Sequence, residues 1–454
     1  MGRRSHGRSL GLWMNGRFVG TWSSLPRTGE VLQYDKDWVS STQGRPLSLS
    51  LPFTPGNAQH RGEPVRAYFE NLLPDSRNIR ERIARRYQIG NIDAFDLLAE
   101  VGRDCAGALQ ILPDGIVPDD VMTVQATPLS DTEVAQLLRG TVAPAQLAGA
   151  ENEADDFRIS IAGAQEKTAL LYWDGQWCRP YAATPTTHIF KLPMGLVGNM
   201  QFDLSESVEN EWLCSVILQA YGLPVASCEV LRFEDIKVLA VERFDRRWWH
   251  QENMEENAAP WLVRLPQEDL CQATATPPHL KYEAEGGPGM ARIMGILAGS
   301  RNPDRDRRIF FQAQLLFWML CATDGHAKNF SLFLRPGSAY ELTPLYDVLS
   351  AYPILGEGPG RLSPFRAKMA MAVRSENAHW RMRDILRRHW LAVGERHGVV
   401  TPDGRAAQFV IDDLVARTPD VIRTVRGMLP QAFPQALANS ILDGMHAAAD
   451  RLAG

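Results

Sequence analysis

One stretch restricts this chain more than any other. Residues 309–321, "IFFQAQLLFWMLC", run for thirteen positions without a charge and read as a buried helix. The next nine residues, "ATDGHAKNF", place Asp324, His326, Lys328 and Asn329 within six positions. A reactive loop at the end of a buried helix needs a large core around it. At 454 residues the chain can supply one, with two or three domains or lobes. A 45% hydrophobic and 22% charged composition belongs to the globular class rather than to disordered or fibrous chains. The net charge of −5 gives no general attraction to nucleic acid.

The cysteines Cys105, Cys178, Cys214, Cys228, Cys271 and Cys321 form no C-x-x-C pair and read as reduced and mostly buried. The basic start, "MGRRSHGRSLGLWMNG", lacks the apolar centre of a secretory signal, and no apolar run reaches the length of a membrane span. The expected location is the cytoplasm, with no membrane partner.

Three parts are expected along the chain. Residues 1–128 form a front module with a β-rich start and then helices. An Asn15-Gly16 turn joins two short apolar runs there as a hairpin. In "DSRNIRERIARRYQ", Asp75 reads as a helix N-cap, with Ile79, Ile83 and Tyr87 on one face and Arg77, Arg80, Arg82, Arg85 and Arg86 on a solvated one. Residues 129–258 are rich in strands, after an acidic junction at "GAENEADD". The helix "DLSESVENEWLCSVILQAYGLP" reads as capped by Asp203 and Glu206 and ended by Gly222 and Pro224. Residues 259–454 read as all-helical.

The polar loop admits two chemistries. A zinc site is disfavoured, because there is one histidine, no cysteine at ligand spacing, and Lys328 is no ligand while charged. Phosphoryl transfer fits better. It needs a carboxylate for the acceptor hydroxyl, Mg²⁺ on the phosphates and a cation on the non-transferred phosphates. Asp324-x-x-x-x-Asn329 has the kinase spacing of base and Mg²⁺ ligand. A lone pair of this kind arises by chance, so its weight comes from its neighbours in order. Lys191 sits inside the apolar strand "THIFKLP", where an unpaired ammonium is costly. Asp347, in "LTPLYDVLSA", follows at the place of a second Mg²⁺ ligand. Between two strands, "AGAQEK" would cover the phosphates, with Lys167 and backbone N–H groups facing them. The strand "VLAVERFDRRW" would present Glu242, Arg243 and Phe244 as an adenine hinge. The carboxylate pairing Lys191 is left open among Glu206, Glu209 and Glu211.

These residues resemble the HipA family, serine/threonine kinase toxins of bacterial toxin–antitoxin modules. The resemblance spans most of the chain and is carried by "RPLSLSLP", "ENLLPDS", "FDLLAEVGRD", "DFRISIAGAQEKTALL", "TPTTHIFKLP", "AVERFDRRW", "RLPQEDLCQ", "KYEAEGGPG", "ATDGHAKNFS" and "LTPLYDVLSA". It implies an α+β, protein-kinase-like two-lobed fold, with a mixed α/β N-lobe, an extra N-terminal subdomain and a mainly helical C-lobe. It implies ATP and Mg²⁺, Asp324 as catalytic base, and Asn329 and Asp347 as metal ligands. Lys191 would contact phosphate, and Ala162, Gly163, Ala164, Gln165, Glu166 and Lys167 would form the phosphate loop. Glu242, Arg243 and Phe244 would form the hinge. His326, Ala327, Lys328 and Tyr346 would line the nucleotide site. Ser160 matches an autophosphorylated serine. The implied partners are a HipB-type antitoxin dimer, operator DNA through that complex, and an aminoacyl-tRNA synthetase substrate, the glutamyl enzyme first, whose modification would halt translation and promote persistence.

Residues 361–400 hold nine Lys/Arg against three acids, making Arg381 and Arg383 candidate DNA contacts. A solvated helix face accounts for them equally well. Two other classes remain: a small-molecule phosphotransferase, which the front module and the Ser160 segment disfavour, and an inactive DNA-binding co-repressor, which the intact polar set disfavours.

Overall fold

The computed structural model of the chain describes residues 7–25, 29–142, 165–198, 200–249 and 260–453. "GAENEADD" lies outside them.

The front module is built on a hairpin. Arg8–Met14 and Arg17–Leu25 pair antiparallel around Asn15 (φ 47°) and Gly16 (φ 78°), the two left-handed positions that a tight two-residue turn demands. Gly29–Tyr34, His60–Arg61 and Leu109–Pro113 complete a five-stranded sheet, the last strand pairing with the first. Alternate residues Leu10, Leu12 and Met14 turn into a core with Trp22, which stacks on Phe69 at 3.7 Å. The helices Glu63–Glu70 and Ala94–Val101 close that core.

A six-stranded sheet follows, in the order Cys228–Phe233, Ile236–Glu242, His188–Lys191, Lys167–Trp173, Gln176–Pro180 and Ala126–Pro128. One expected boundary changes here. The strand Ala126–Pro128 pairs with this sheet, although it falls inside the expected 1–128 front module. The polar text after it holds a helix, Asp131–Val142, whose Val134, Ala135 and Leu138 bury against the sheet. The helix Ser207–Ala220 packs on the sheet as well, buried along most of its circumference, and ends where Gly222 (φ 81°) takes the left-handed conformation. The expected cap does not form. Glu206 makes no side-chain capping bond, and Asp203 lies in a two-stranded ribbon, accepting from the Ser205 N–H at 3.0 Å.

The remainder is mainly helical around one large core. Met290–Leu297, Pro303–Met319, Arg387–Arg396, Ala407–Met428 and Gln435–Ala453 contribute to it. It is not all-helical. Gln267–Asp269, Ser331–Leu334 and Tyr340–Leu342 make a three-stranded sheet, and Lys368–Arg374 pairs with Ala378–Arg381. Most of these strands have three or four residues, too few to display a two-residue alternation in the sequence. Helices and antiparallel sheets together make an α+β chain. No helix among the described residues is long and apolar enough to cross a membrane.

Candidate active site

Lys191 ends its strand at 7% exposure, and its burial is compensated. Its Nζ donates to Glu211 Oε1 at 2.6 Å and to Asp347 Oδ1 at 2.8 Å. Burial alone would lower the lysine's pKa, but Asp347 and Glu211 outweigh it and hold the ammonium above its ordinary value. The open choice of partner is thereby settled: Glu211 takes Lys191, and Glu209 pairs with Lys237. Directly across the antiparallel pair from Lys191 stands Lys167. Burial and the Lys191 charge push the Lys167 pKa down to about 8. Two cations facing each other this way repel, and a bound anion relieves them.

The loop 322–330 is laid over aromatic rings. The helix Pro303–Met319 stops as Cys321 turns left-handed (φ 51°), and the Ala322 N–H returns to the Phe317 carbonyl at 2.8 Å. Phe330 packs on Phe310 at 4.9 Å and on Phe317 at 5.7 Å. A Cβ on Gly325 would stand 2.4 Å from the Phe317 ring, so only glycine lets the loop lie this close. Asn329 Nδ2 donates to the Asp324 carbonyl (3.0 Å) and the Asp347 carbonyl (3.1 Å), which leaves its Oδ1 for another partner. Asp347 has φ 61°, a strained left-handed conformation that costs about 1–3 kcal/mol and recurs at functional sites. Burial would raise the Asp347 pKa; Lys191 and Lys167 outweigh it and keep the carboxylate well below the usual range.

Asp324 is the most open group of the set, its side chain 61% exposed, and it accepts a hydrogen bond from the Tyr282 hydroxyl. His326 is buried beneath Tyr282, ring centroids 5.0 Å apart; burial lowers its pKa, and its Nδ1 has no partner among the described residues. Tyr346 donates to the Lys328 carbonyl at 2.8 Å and shares a 2.6 Å hydrogen bond with Ser331, while Ala327 is fully buried.

Lys328 points elsewhere than expected. Its Nζ donates to Asp75 Oδ1 at 2.8 Å, and Lys281 donates to Oδ2 of the same carboxylate at 2.9 Å. Burial would raise the Asp75 pKa, but the two lysines bring it down to about 2. Asp75 is therefore no helix cap; Ser76 holds that place, without a side-chain bond. Nor is the arginine face fully solvated. Arg82 ion-pairs with Glu166, and Arg80 binds Glu70 at 2.6 Å. Asp75, Lys281 and Tyr282 are the site residues that sequence reasoning missed. They lie in "ENLLPDS" and "KYEAEGGPG", two blocks that carry the family resemblance, and that was the available signal.

The hinge is partly as expected. The N–H groups of Glu242 and Arg243 are already given to the Ser227 and Thr187 carbonyls, each at 2.8 Å. Phe244 packs on Tyr346 at 5.6 Å. The Arg243 side chain is turned away into a buried cluster with Asp104 (3.0 Å) and Asp245 (3.0 Å). Gln165 Nε2 donates to the Leu192 carbonyl at 2.6 Å. Ser160, Ala162, Gly163 and Ala164 lie outside the described residues.

Arg381 and Arg383 are both exposed, Arg381 at the end of a β-hairpin and Arg383 in the single 3₁₀ turn that follows, so neither lies on an α-helix. Arg383 lies over Phe365 at 4.6 Å. Much of the basic excess around them is spent internally: Arg374 pairs with Glu283 at 2.6 Å, Arg387 with Asp412, and Arg396 donates to the Ser375 carbonyl at 2.7 Å.

A sheet lysine paired to a helix glutamate, followed by Asp-x4-Asn and a third carboxylate, defines a phosphotransferase of the protein-kinase type. Comparison with known proteins narrows that class. Residues 159–422 match the HipA-like C-terminal domain and residues 10–112 the HipA N-terminal domain. The chain belongs to the HipA family of serine/threonine kinase toxins. It is 33% identical over 382 residues to the Sinorhizobium fredii protein "Putative kinase Y4mE", covering 81% of each. It is 27% identical over 359 residues to the "Serine/threonine-protein kinase toxin HipA" of Shewanella oneidensis, covering 76% of this chain and 74% of that one. The HipA chain in the Shewanella oneidensis complex of HipA, HipB and operator DNA has the same fold, with TM-score 0.76 and 24% identity over 98% of this chain and 97% of that one.

Proposed function

We propose that this HipA-family kinase transfers the γ-phosphoryl group of ATP to a serine or threonine of an aminoacyl-tRNA synthetase, the glutamyl enzyme first. Translation then stops and the cell enters dormancy and persistence. The observation that carries the reading is the geometry of Lys191, held between Glu211 and Asp347 with Lys167 facing it across the strand pair and Asn329 beside Asp347.

In this reading Lys191, fixed by Glu211, binds the non-transferred phosphates, with Lys167 beside it. Asp324, the exposed carboxylate, accepts the acceptor's proton. Phe244, packed on Tyr346, gives the adenine an apolar wall and the hinge N–H that the backbone of the described residues does not use. Asn329 Oδ1 and the Asp347 carboxylate suit Mg²⁺, which takes one or two protein carboxylates and completes its shell with phosphate and water. When bound, the metal supplies charge neutralisation on the phosphates. Asp75, shared with Lys281, holds Lys328 in place from behind the loop.

Further parts follow from the family. Ser160, next to the phosphate loop in the sequence, is the autophosphorylation site, and an added dianion there opposes ATP binding. A HipB-type antitoxin dimer restrains the toxin in the cytoplasm, and the complex represses its operon at operator DNA. In this reading the exposed Arg381 and Arg383 meet phosphate there.

The test incubates the protein with γ-labelled ATP, Mg²⁺ and a bacterial lysate, and identifies labelled proteins and sites by mass spectrometry. The expected result is label on a synthetase and on Ser160, both lost in Asp324→Ala. A wild type that labels nothing while still binding antitoxin would overturn the reading.

A further inference from the structure

Next to Asp324, on the side of Tyr282, a pocket of about 510 Å³ opens, within the range of small-ligand and side-chain sites. Tyr282, Glu285, Thr323, Lys368, Met369 and Trp380 line it. Its walls are fixed in advance. Glu283 accepts the Ala372 N–H at 2.7 Å and the Arg374 guanidinium at 2.6 and 2.9 Å, which ties the turn carrying Tyr282 and Glu285 to the strand carrying Lys368 and Met369. Met369 is buried and Trp380 half-buried, so the lining offers apolar surface. One ammonium, Lys368, is balanced by one carboxylate, Glu285, and none of Lys167, Lys191 and Lys328 reaches it. Such a lining suits an uncharged peptide segment and not a polyphosphate.

Two features connect the pocket to the chemistry. Thr323 immediately precedes Asp324. Tyr282 lines the pocket with its ring while its hydroxyl donates to Asp324 Oδ1. That hydrogen bond is the one an acceptor hydroxyl must make before it can surrender its proton. The phenol therefore stands where the substrate has to go.

We propose that this pocket is the acceptor site. It takes an extended serine- or threonine-containing protein segment, seats the apolar side chain adjacent to the hydroxyl residue between Met369 and Trp380, and lets the acceptor hydroxyl replace Tyr282 on Asp324. The acceptor proton then passes to Asp324 as the hydroxyl oxygen bonds to the γ-phosphorus and the bond to the β–γ bridging oxygen breaks, releasing ADP. The inference rests on the kinase reading above and adds which side chains select the substrate.

The test uses the full chain with Mg²⁺-ATP and two serine peptides differing only beside the serine, one carrying leucine and the other aspartate. Wild type is expected to prefer the leucine peptide. Trp380→Ala should raise its KM about tenfold, the usual worth of one apolar contact, without changing the KM for ATP or the slow hydrolysis of ATP by water. Ala284→Trp fills the pocket from an exposed position and should do the same, which covers the case of a Trp380 variant that does not fold. Tyr282→Phe frees Asp324 and should lower the peptide KM while speeding ATP hydrolysis. An unchanged peptide KM in both pocket variants overturns the pocket alone. So does a Tyr282→Phe enzyme that loses kcat at constant KM, since the tyrosine would then orient the base. Small hydroxyl compounds phosphorylated faster than either peptide also overturn it. A wild type that phosphorylates nothing overturns the kinase reading instead.

Discussion

Two clusters of buried charge lie in this chain, built to opposite rules. Around Asp104 and Asp245, three guanidiniums fill every carboxylate oxygen: Arg243, Arg246 and Arg264 donate at 2.8–3.3 Å, with the Thr186 hydroxyl at 2.7 Å and the Gly107 N–H at 2.6 Å. Burial would raise the Asp104 pKa; Arg246, Arg243 and Arg264 outweigh it and hold the carboxylate far below its usual range. Around Lys191 the pairing is incomplete. Lys167 faces it with no carboxylate at ion-pair distance among the described residues, and Asp347 keeps 36% of its side chain exposed. The first cluster has every carboxylate oxygen taken and joins the front module to the strand-rich one. The second balances its charges but leaves them incompletely paired, with Lys167 out of ion-pair reach and Asp347 part-exposed, and that openness is what marks it as a site.

Asp104→Ala tests the closed cluster most severely. It strands three buried guanidiniums with one carboxylate, so a loss of about 3–5 kcal/mol is expected in denaturant unfolding. Transfer per folded molecule should change far less. Asp347→Asn inverts the pattern. Asparagine tolerates the left-handed backbone, and Lys191 keeps Glu211, so stability should move by less than about 1 kcal/mol. Transfer should fall about 10²–10³-fold with the lost carboxylate. If the two variants exchanged these signatures, the distinction between closed and open clusters would be lost.

The smallest expected effect is on pH dependence. With Lys167 pushed down to about 8, its charged form predominates only below that pH. Phosphate favours the ammonium, so ATP affinity should be full below pH 8 and weaken about tenfold by pH 9, measured by calorimetry. Lys167→Met should bind more weakly and lose that slope. The Asp104 carboxylate is depressed instead; its contribution to stability is full above the ordinary aspartate range and lost only in acid, so it should be flat over the same window.

What could be read from the sequence follows the same physics. Lys191 and the loop at 324–329 break local rules, an ammonium in an apolar strand and a polar burst after an uncharged helix. Glu211 could only be one of three, because Glu209 and Glu211 point to different sides of the helix and the sequence does not say which side meets Lys191. Asp75 reads as a cap because capping is local, whereas its partners are 206 and 253 residues away. Tyr282 on Asp324 is hidden likewise, 42 residues distant. The helix Asp131–Val142 is masked by its polar outer face.

Asp75 and Arg82 are encoded in the front module, yet Asp75 is the shared counter-ion of Lys281 and Lys328, and Arg82 holds Glu166. The two parts of this chain are therefore not interchangeable cassettes. A front module grafted from a relative would leave two lysines behind the catalytic loop without a counter-ion unless it brought a carboxylate to the same spot, and a kinase portion cut free would carry that imbalance into its own active site.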